Sequence, residues 1–280
     1  MFSNFLIGLR EGIEAALIVS ILVTYLVKLD QRQLLPRLWI GVSAAVALSI
    51  GFAALLAFIG AELSETAEQI FAGTMSILAV ILITWMIFWM AKRARFIKGH
   101  LQGEVDDALS RGSWALAIIA FLAVAREGLE TALFLWAGFR SSGEGGASIW
   151  GAVLGLGVAV VIGVVLYRGA VNLNLGQLFR WTGIALIFVA AGVLGHGLGD
   201  LQEAGVLPGA NSLAFDVSDS VPVDSWYGSL LKGVFSFSAQ TTWLSFVVWW
   251  VYVVTTLFFF FKKTKKSPAQ KQPEPQKQPA

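Results

Sequence analysis

Two five-residue motifs place charged side chains in the middle of long apolar stretches, and this pattern restricts the chain more than any other feature. Residues 10–14 read Arg-Glu-Gly-Ile-Glu, and residues 126–130 read Arg-Glu-Gly-Leu-Glu. Ionised side chains at the centre of a membrane-spanning helix are costly and mark functional sites. Because the same costly pattern occurs twice, we expect the two motifs to serve one function.

The composition is that of an integral membrane protein. Of the 280 residues, 56% are apolar and only 14% are charged, and the mean hydropathy is +0.72, whereas about 25% of the residues in soluble domains are charged. The chain has no cysteine, which excludes disulfides, thiolate metal sites and iron–sulfur clusters. The first apolar run lacks a preceding basic region and carries three charges, so we expect it to remain in the mature protein rather than to be a cleaved signal peptide.

Seven segments are long and apolar enough to cross a membrane, which takes roughly 20 residues. They are residues 3–27, 38–61, 69–91, 113–139, 148–168, 178–199 and 241–261. The connections after the first, third, fifth and seventh segments are rich in lysine and arginine, and the others are acidic. Because cytoplasmic loops carry the excess of basic residues, the N-terminus is predicted to lie outside and the C-terminus in the cytoplasm.

The motifs also indicate an internal repeat. Aligning residues 5–22 with residues 121–138 gives eight identities in 18 positions, at an offset of 116 residues. Three spans separate the copies, so the second copy is inverted in the membrane, as in many transporters. We therefore predict an all-α fold with one seven-helix domain at 1–261 and a disordered basic cytoplasmic tail at 262–280. The domain comprises repeat one (about 3–91), repeat two (about 113–199), an external loop (200–240) and a C-terminal helix (241–261).

On a helix, each motif brings its charges together. Its two glutamates are three residues apart and share a face, and its arginine can pair with the second glutamate, four residues later. Gly12, Ala16 and Ser20 form a ridge of small residues in the first span, and Gly128 and Ala132 form one in the fourth. Because such ridges let helices approach closely, we expect spans one and four to cross at the motif glycines.

Such a crossing would gather four carboxylates with two arginines beside them: Glu11, Glu14, Glu127 and Glu130, with Arg10 and Arg126. Four carboxylates cannot all stay ionised in a low-dielectric site without compensation, and the arginines balance only half of the charge. The negative charge that the arginines do not balance is expected to bind a cation. All-oxygen ligation favours hard metals such as iron, manganese, magnesium or calcium and disfavours a structural zinc site.

Three alternatives remain open on the residues alone. In the first, the Arg–Glu pairs are purely structural, as in a membrane assembly subunit. In the second, the carboxylates relay protons. In the third, the protein is a di-iron carboxylate oxidase, but those sites use Glu-x-x-His repeats, and the histidines His100 and His196 lie outside both motifs.

These residues resemble the iron permease family, which includes the fungal high-affinity iron permeases and the bacterial EfeU-type permeases. The family signature is Arg-Glu-Gly-Leu-Glu in the first and fourth spans. The resemblance extends to FLIGLREGIEAALIVS from Phe5, TWMIFWM from Thr84, AVAREGLE from Ala123, LNLG at 173–176 and AFDVS at 214–218. It implies a transporter rather than an enzyme, which imports iron across the cytoplasmic (inner) membrane and holds no permanent cofactor. The implied iron ligands are Glu11, Glu14, Glu127 and Glu130, with Arg10 and Arg126 as charge partners.

Weaker candidates lie near the predicted outer ends of the spans. The resemblance implies an acid before the glycine of span three, but that position is Ala72 here, which leaves Glu68 one turn earlier. The other entrance candidates are His196, Asp200, Glu203 and Asp216. The resemblance also implies a periplasmic iron-binding or iron-oxidising partner, and no nucleic-acid partner is expected. The choice between Fe²⁺ and Fe³⁺, transport of manganese or lead instead, and the oligomeric state stay open.

Overall fold

The computed structural model describes residues 1–93, 97–112, 114–142, 145–168, 175–216 and 240–265. Within these residues the chain forms eight α-helices and a two-stranded antiparallel sheet. The helices are α1 (Phe2–Lys28), α2 (Leu35–Glu62), α3 (Glu65–Arg93), α4 (Ile97–Arg111), α5 (Ala115–Ser142), α6 (Gly145–Tyr167), α7 (Leu175–Glu203) and α8 (Trp243–Lys265). The strands are β1 (Leu213–Asp216) and β2 (Gln240–Thr242), and a 3₁₀ turn (Arg32–Leu34) precedes α2.

Each of the seven predicted spans coincides with a helix. These helices have 23 to 29 residues, and five of them, α2, α3, α6, α7 and α8, are long and apolar enough to cross a membrane. Helices α1 and α5 are equally long, but each carries a charged motif near its middle. Helix α8, which corresponds to the seventh predicted span, starts at Trp243 and not at residue 241, because residues 240–242 pair with β1. The fold is therefore that of a helical membrane protein.

Helix α4 is an element that hydropathy alone does not predict. Its residues Leu101, Val105 and Ala108 are buried, and their spacing of three and four residues puts them on one face. That face packs against α1 and α5, and the Tyr25 hydroxyl of α1 donates to Asp106 at 2.8 Å. Because its other face is polar, α4 lies across one end of the bundle rather than within its apolar part.

Three helix pairs dominate the packing: α1 with α6, α2 with α5, and α3 with α7. In the first pair Gly8 faces Ala152 and Gly12 faces Ala159, so α1 and α6 run in the same direction. In contrast, α1 and α5 run in opposite directions, because Asn4 at the start of α1 faces Gly138 near the end of α5. Every one of these pairs joins a helix of the first half to a helix of the second.

The prediction that α1 and α5 cross at the motif glycines is wrong. A Cβ added to Gly12 would lie 2.6 Å from the Cβ of Ala159 and 3.2 Å from Cδ2 of Leu156, both in α6. A Cβ added to Gly128 would instead meet Ser49 of α2. The small-residue ridges do mediate close helix contacts, but each one faces the second helix of the other half.

Helix geometry gives the reason for this difference. Successive residues are rotated by about 100° around a helix, so the direction of Gly12 is about 130° away from the direction midway between Glu11 and Glu14. A glycine and its neighbouring carboxylates therefore cannot face the same helix. The glycine of each motif anchors one neighbour, and the two glutamates point towards another.

Candidate metal site

The two motifs meet near the middle of the bundle. Glu11 lies nine residues after the start of α1, about 14 Å along a helix that rises 1.5 Å per residue. Glu127 lies 12 residues after the start of α5, about 18 Å along its axis. Helices α1 and α5 are antiparallel and in contact, and oxygens of Glu11 and Glu127 lie within 4.8 Å of each other, so the two positions are at the same level.

Three carboxylates form a compact group at this level. Glu11, Glu14 and Glu127 each contribute one oxygen, and the three oxygens lie within 4.8 Å of one another. The exposed fractions of the three residues are 1%, 5% and 5%. Both oxygens of Glu11, Oε1 of Glu14 and Oε2 of Glu127 have no hydrogen-bond partner among the residues described. Buried acceptors are normally paired, so this group has the composition of an incomplete ligand set for a hard cation.

Each motif arginine lies beside the second glutamate of its own motif. Nε of Arg10 is 3.2 Å from Oε1 of Glu14, and Nε of Arg126 donates to Oε1 of Glu130 at 3.1 Å. These are the pairs expected from the spacing of four residues. The environments of the two arginines differ, however, because Arg10 is 1% exposed whereas the side chain of Arg126 is 38% exposed.

Glu130 stands beside the three-carboxylate group. Arg126 binds its Oε1, while its Oε2 is buried and unpaired in the part of the chain that the structure describes. Its charge still interacts with that of Glu14. The structure therefore brings one oxygen from each of three predicted ligands within 4.8 Å of one another. The fourth ligand lies next to them and is paired with an arginine.

Apolar side chains close the α1–α5 interface on both sides of the carboxylates. Towards the start of α1, Ile7 belongs to a buried cluster with Leu133, Phe134 and Ala137 of α5. Towards the end of α1, a second buried cluster joins the two helices through Leu22, Leu26, Leu116, Ala120 and Val124. These layers bury the carboxylates along the helix interface, and charges interact more strongly where water is excluded.

The weaker entrance candidates gather at the neighbouring ends of α3 and α7. Nη1 of Arg140, from the last turn of α5, lies 2.6 Å from Oε1 of Glu68. Nε2 of His196 lies 3.8 Å from Oδ1 of Asp200, and the other oxygen of Asp200 is buried and unpaired within the described residues. The sequence indicated the acids but not Arg140 as the partner of Glu68.

The remaining candidates lie at the edge of this group or beyond it. Glu203 accepts a hydrogen bond from Nε2 of Gln69 at 3.2 Å. Asp216 ends β1 and pairs with Gln240 of β2 in the sheet register. The rest of the predicted external loop, residues 217–239, lies outside the described residues.

Two tryptophans complete the surroundings of the second motif. The guanidinium carbon of Arg126 is 5.5 Å from the ring centroid of Trp85 and 4.7 Å from that of Trp89. The sequence contained one signal for this arrangement, since residues four apart lie on the same helix face. It gave no indication that this face would meet an arginine of another helix.

Comparisons with known proteins give a consistent result. The chain matches the iron permease FTR1 family over residues 1–264. The ferrous iron permease EfeU of Escherichia coli O6:H1 (strain CFT073) is 40% identical over 257 residues, which cover 90% of this chain and 92% of the relative. The EfeU protein of Yersinia pestis is 38% identical over 245 residues, 86% of each chain.

Another relative, from Escherichia coli K12, is also 40% identical over 257 residues and is named a putative inactive ferrous iron permease EfeU. No solved structure matches the chain.

Proposed function

The chain belongs to the iron permease FTR1 family, and on this premise we propose that it imports iron through the carboxylate group between α1 and α5. It is a membrane transporter and not an enzyme. The observation that carries the proposal is the group of Glu11, Glu14 and Glu127, with carboxylate oxygens within 4.8 Å of one another. Both oxygens of Glu11 and Oε2 of Glu127 are buried without a hydrogen-bond partner among the described residues, and Oε1 of Glu14 has only Arg10 beside it. A hard cation satisfies such oxygens and balances the charge that the arginines leave.

Seven of the helices, all except α4, cross the membrane in this proposal. The relative directions of neighbouring helices support it. Helices α7 and α8 are antiparallel, because Gly195 lies near Ser245 and Gly183 lies near Phe260. An α4 that does not span lets α3 and α5 run in opposite directions. The basic connections then place the N-terminus outside and the C-terminus in the cytoplasm, in a bacterial inner membrane.

The positions of close contacts support an inverted repeat. A Cβ on Gly41 of α2 would meet the backbone of Ala117 in α5, and a Cβ on Gly151 of α6 would meet the backbone of Met1, which directly precedes α1. Positions 1 and 117 differ by 116, the offset between the two motifs, and positions 41 and 151 differ by 110. The two contacts are therefore equivalent under an exchange of the two halves.

A second pair of contacts has the same two offsets. Gly12 meets Ala159, and Gly128 meets Ser49. Positions 12 and 128 differ by 116, and positions 49 and 159 differ by 110. We infer that α1–α3 and α5–α7 are related by a pseudo-twofold axis, with the carboxylate group close to that axis, where inverted-repeat transporters bind their substrates.

We propose that iron arrives at the acidic ends of α3 and α7, where Glu68, Asp200 and Glu203 lie. Acidic residues at an entrance raise the local concentration of cations. A periplasmic iron-binding or iron-oxidising protein is the proposed donor. We propose Fe²⁺ as the transported form, because the relatives are named ferrous iron permeases. Since carboxylates also bind Mn²⁺, competition by manganese measures how selective the site is.

The test is uptake of ⁵⁵Fe by cells that lack other iron importers and express Glu14→Gln or Glu127→Gln. We expect uptake to fall at least tenfold, which corresponds to a loss of about 1.4 kcal/mol or more in binding free energy. The matched control is Glu62→Gln, which removes an exposed acid at the end of α2 and should leave uptake unchanged. The amount of protein in the membrane is measured in parallel.

Normal uptake by both Glu14→Gln and Glu127→Gln would overturn the proposed site and favour a structural role for the Arg–Glu pairs. Uptake under reducing conditions, compared with uptake of ferric citrate, tests the choice of Fe²⁺. Faster uptake of the ferric form would reject that choice and leave the site assignment intact.

A further inference from the structure

A platform of two tryptophans supports one of the motif arginines. Trp85 and Trp89 lie on one face of α3, and the guanidinium of Arg126 lies over both rings, at 5.5 and 4.7 Å. Both distances are within the roughly 6 Å at which a cation is attracted to an aromatic ring. Nε of the same guanidinium donates a hydrogen bond to Glu130. Three side chains therefore fix the position of this guanidinium.

The platform is built into one half of the protein only. Contacts between α3 and α7 follow the offset of 110 found for α2 and α6. Gly73 meets Gly197, and Gly183 meets Ile87, and positions 73 and 183 differ by 110, as do positions 87 and 197. The two helices can thus be compared position by position.

By this offset, Trp85 and Trp89 correspond to Gly195 and Gly199 of α7. A Cβ on either glycine would meet no atom within 4 Å in the described part of the chain. The pseudo-equivalent arginine, Arg10, consequently has no ring at these two positions. It is instead held by complete burial, whereas Arg126 is partly exposed and depends on the two indoles.

The position of the Arg126 guanidinium matters because two other carboxylates also attract it. The charge of Arg126 interacts with those of Glu14 and Glu127, which both belong to the carboxylate group. A guanidinium stays protonated and binds carboxylates in a bidentate manner. If it turned towards the oxygens of Glu14 and Glu127, it would occupy them and oppose a cation.

We propose that Trp85 and Trp89 are positioning residues for iron transport, which hold the Arg126 guanidinium on Glu130 and so keep the oxygens of Glu14 and Glu127 available to the metal. This inference rests on the proposed function, because it assumes that the carboxylate group binds the transported ion. Trp89 is well placed for the role, since it packs against the buried cluster of Ile13 and Leu17 on α1.

The test compares Trp85→Leu with Trp150→Leu. Both residues are tryptophans of long helices with exposed fractions of 53% and 65%, so the loss of surface area is similar, but only Trp85 contacts Arg126. In ⁵⁵Fe uptake, Trp85→Leu should raise the half-saturating iron concentration about three- to tenfold, the range expected for losing one cation–π contact. Trp150→Leu should leave it unchanged, and Trp89→Phe, which keeps an aromatic face, should have a smaller effect than Trp89→Leu.

The effect must also depend on the arginine. In an Arg126→Gln background the guanidinium is absent, so adding Trp85→Leu should cause no further change in the half-saturating concentration. An additional loss of the same size in that background would show that Trp85 acts by packing and would overturn the proposal, as would equal behaviour of Trp85→Leu and Trp150→Leu. If instead Glu14→Gln and Glu127→Gln leave uptake unchanged, the proposed function itself is wrong.

Discussion

At the scale of single residues, Glu11 is the side chain whose burial is hardest to explain without a ligand. It is 1% exposed, and neither of its carboxylate oxygens has a hydrogen-bond partner among the residues described. A buried charge without a partner destabilises a fold. The cost is accepted at functional sites, where stability and activity compete.

This argument predicts that Glu11→Gln stabilises the metal-free protein while it weakens metal binding. Glutamine has the same shape and removes one of several mutually repelling charges. We expect the melting temperature in detergent to rise by about 2–4 °C, the shift that corresponds to a stabilisation of roughly 1 kcal/mol in a large domain. The additional stabilisation by Mn²⁺ should fall by at least half. Thermal unfolding with and without Mn²⁺ measures both effects, with Glu62→Gln as the control.

A lower melting temperature for Glu11→Gln, together with an unchanged shift on addition of Mn²⁺, would contradict the assignment of Glu11 as a metal ligand. That combination would mean that the carboxylate is satisfied by the protein itself.

The two motif arginines should differ in their contribution to stability. Removing Arg10 leaves Glu14 buried without its counter-charge, and breaking a buried ion pair on one side costs about 3–5 kcal/mol. The Arg126–Glu130 pair is only part-buried, with side chains 38% and 13% exposed, so its loss should cost less than that of the buried pair. Arg10→Gln should therefore yield much less folded protein than Arg126→Gln. Monodisperse yield and melting temperature test this difference, and equal losses for the two variants would refute it.

At the scale of helices, the close approach of α1 and α6 depends on residues without large side chains. Gly8, Gly12 and Ala16 of α1 face Ala152, Ala159 and Gly163 of α6. Such packing brings two backbones together over several turns. It also fixes the rotation of α1, which directs Glu11 and Glu14 towards α5.

Gly12→Ala should therefore destabilise the protein, and Ala159→Gly should restore much of the loss. The added Cβ would lie 2.6 Å from the Cβ of Ala159, and overpacking of this kind costs about 1–3 kcal/mol. The matched control is Gly157→Ala on α6, where a Cβ would meet nothing within 4 Å in the described part of the chain. That change should be neutral or stabilising by up to about 1 kcal/mol, because alanine favours a helix. The test measures the melting temperatures of Gly12→Ala, Ala159→Gly, the double variant of these two, and Gly157→Ala. If the double variant is no more stable than Gly12→Ala, the clash lies elsewhere.

The sequence predicts the helices well because a membrane imposes one requirement on all of them, a long apolar run. It also predicts the Arg10–Glu14 and Arg126–Glu130 pairs, because spacing on one helix decides which side chains share a face. The sequence does not predict which helices contact each other. The ridge at Gly12 was recognisable, but its partner α6 was not, since a small-residue face does not specify which neighbour it meets. Likewise α4 was missed because its buried face needs α1 and α5 beside it.

At the scale of the whole molecule, the two halves are interlocked rather than merely adjacent. The first helix of each half packs along the second helix of the other, and the third helices pack on each other. The two charged motifs consequently face each other across the interface between the halves. If the proposed inverted repeat is present, movement of one half against the other would change the geometry between the motifs, as in inverted-repeat transporters that work by alternating access.

The two halves nevertheless differ from each other near the charged motifs. One half contributes a buried arginine, and the other contributes an arginine supported by Trp85 and Trp89. The end of the bundle near Glu68 and Asp200 is polar, whereas α4 covers the opposite end. The two ends of the bundle therefore differ in polarity and in covering.

The topology that underlies this scheme predicts the labelling pattern of single cysteines. The chain has no native cysteine, so each introduced thiol can be observed alone. Ser64→Cys lies in the exposed connection between α2 and α3, and Gly103→Cys lies on an exposed position of α4. With the N-terminus outside and α4 in the cytoplasm, a membrane-impermeant maleimide should label Ser64→Cys in intact spheroplasts. It should label Gly103→Cys only after the membrane is permeabilised. The opposite pattern would invert the protein in the membrane, and labelling of both thiols in intact spheroplasts would mean that α3 does not cross it.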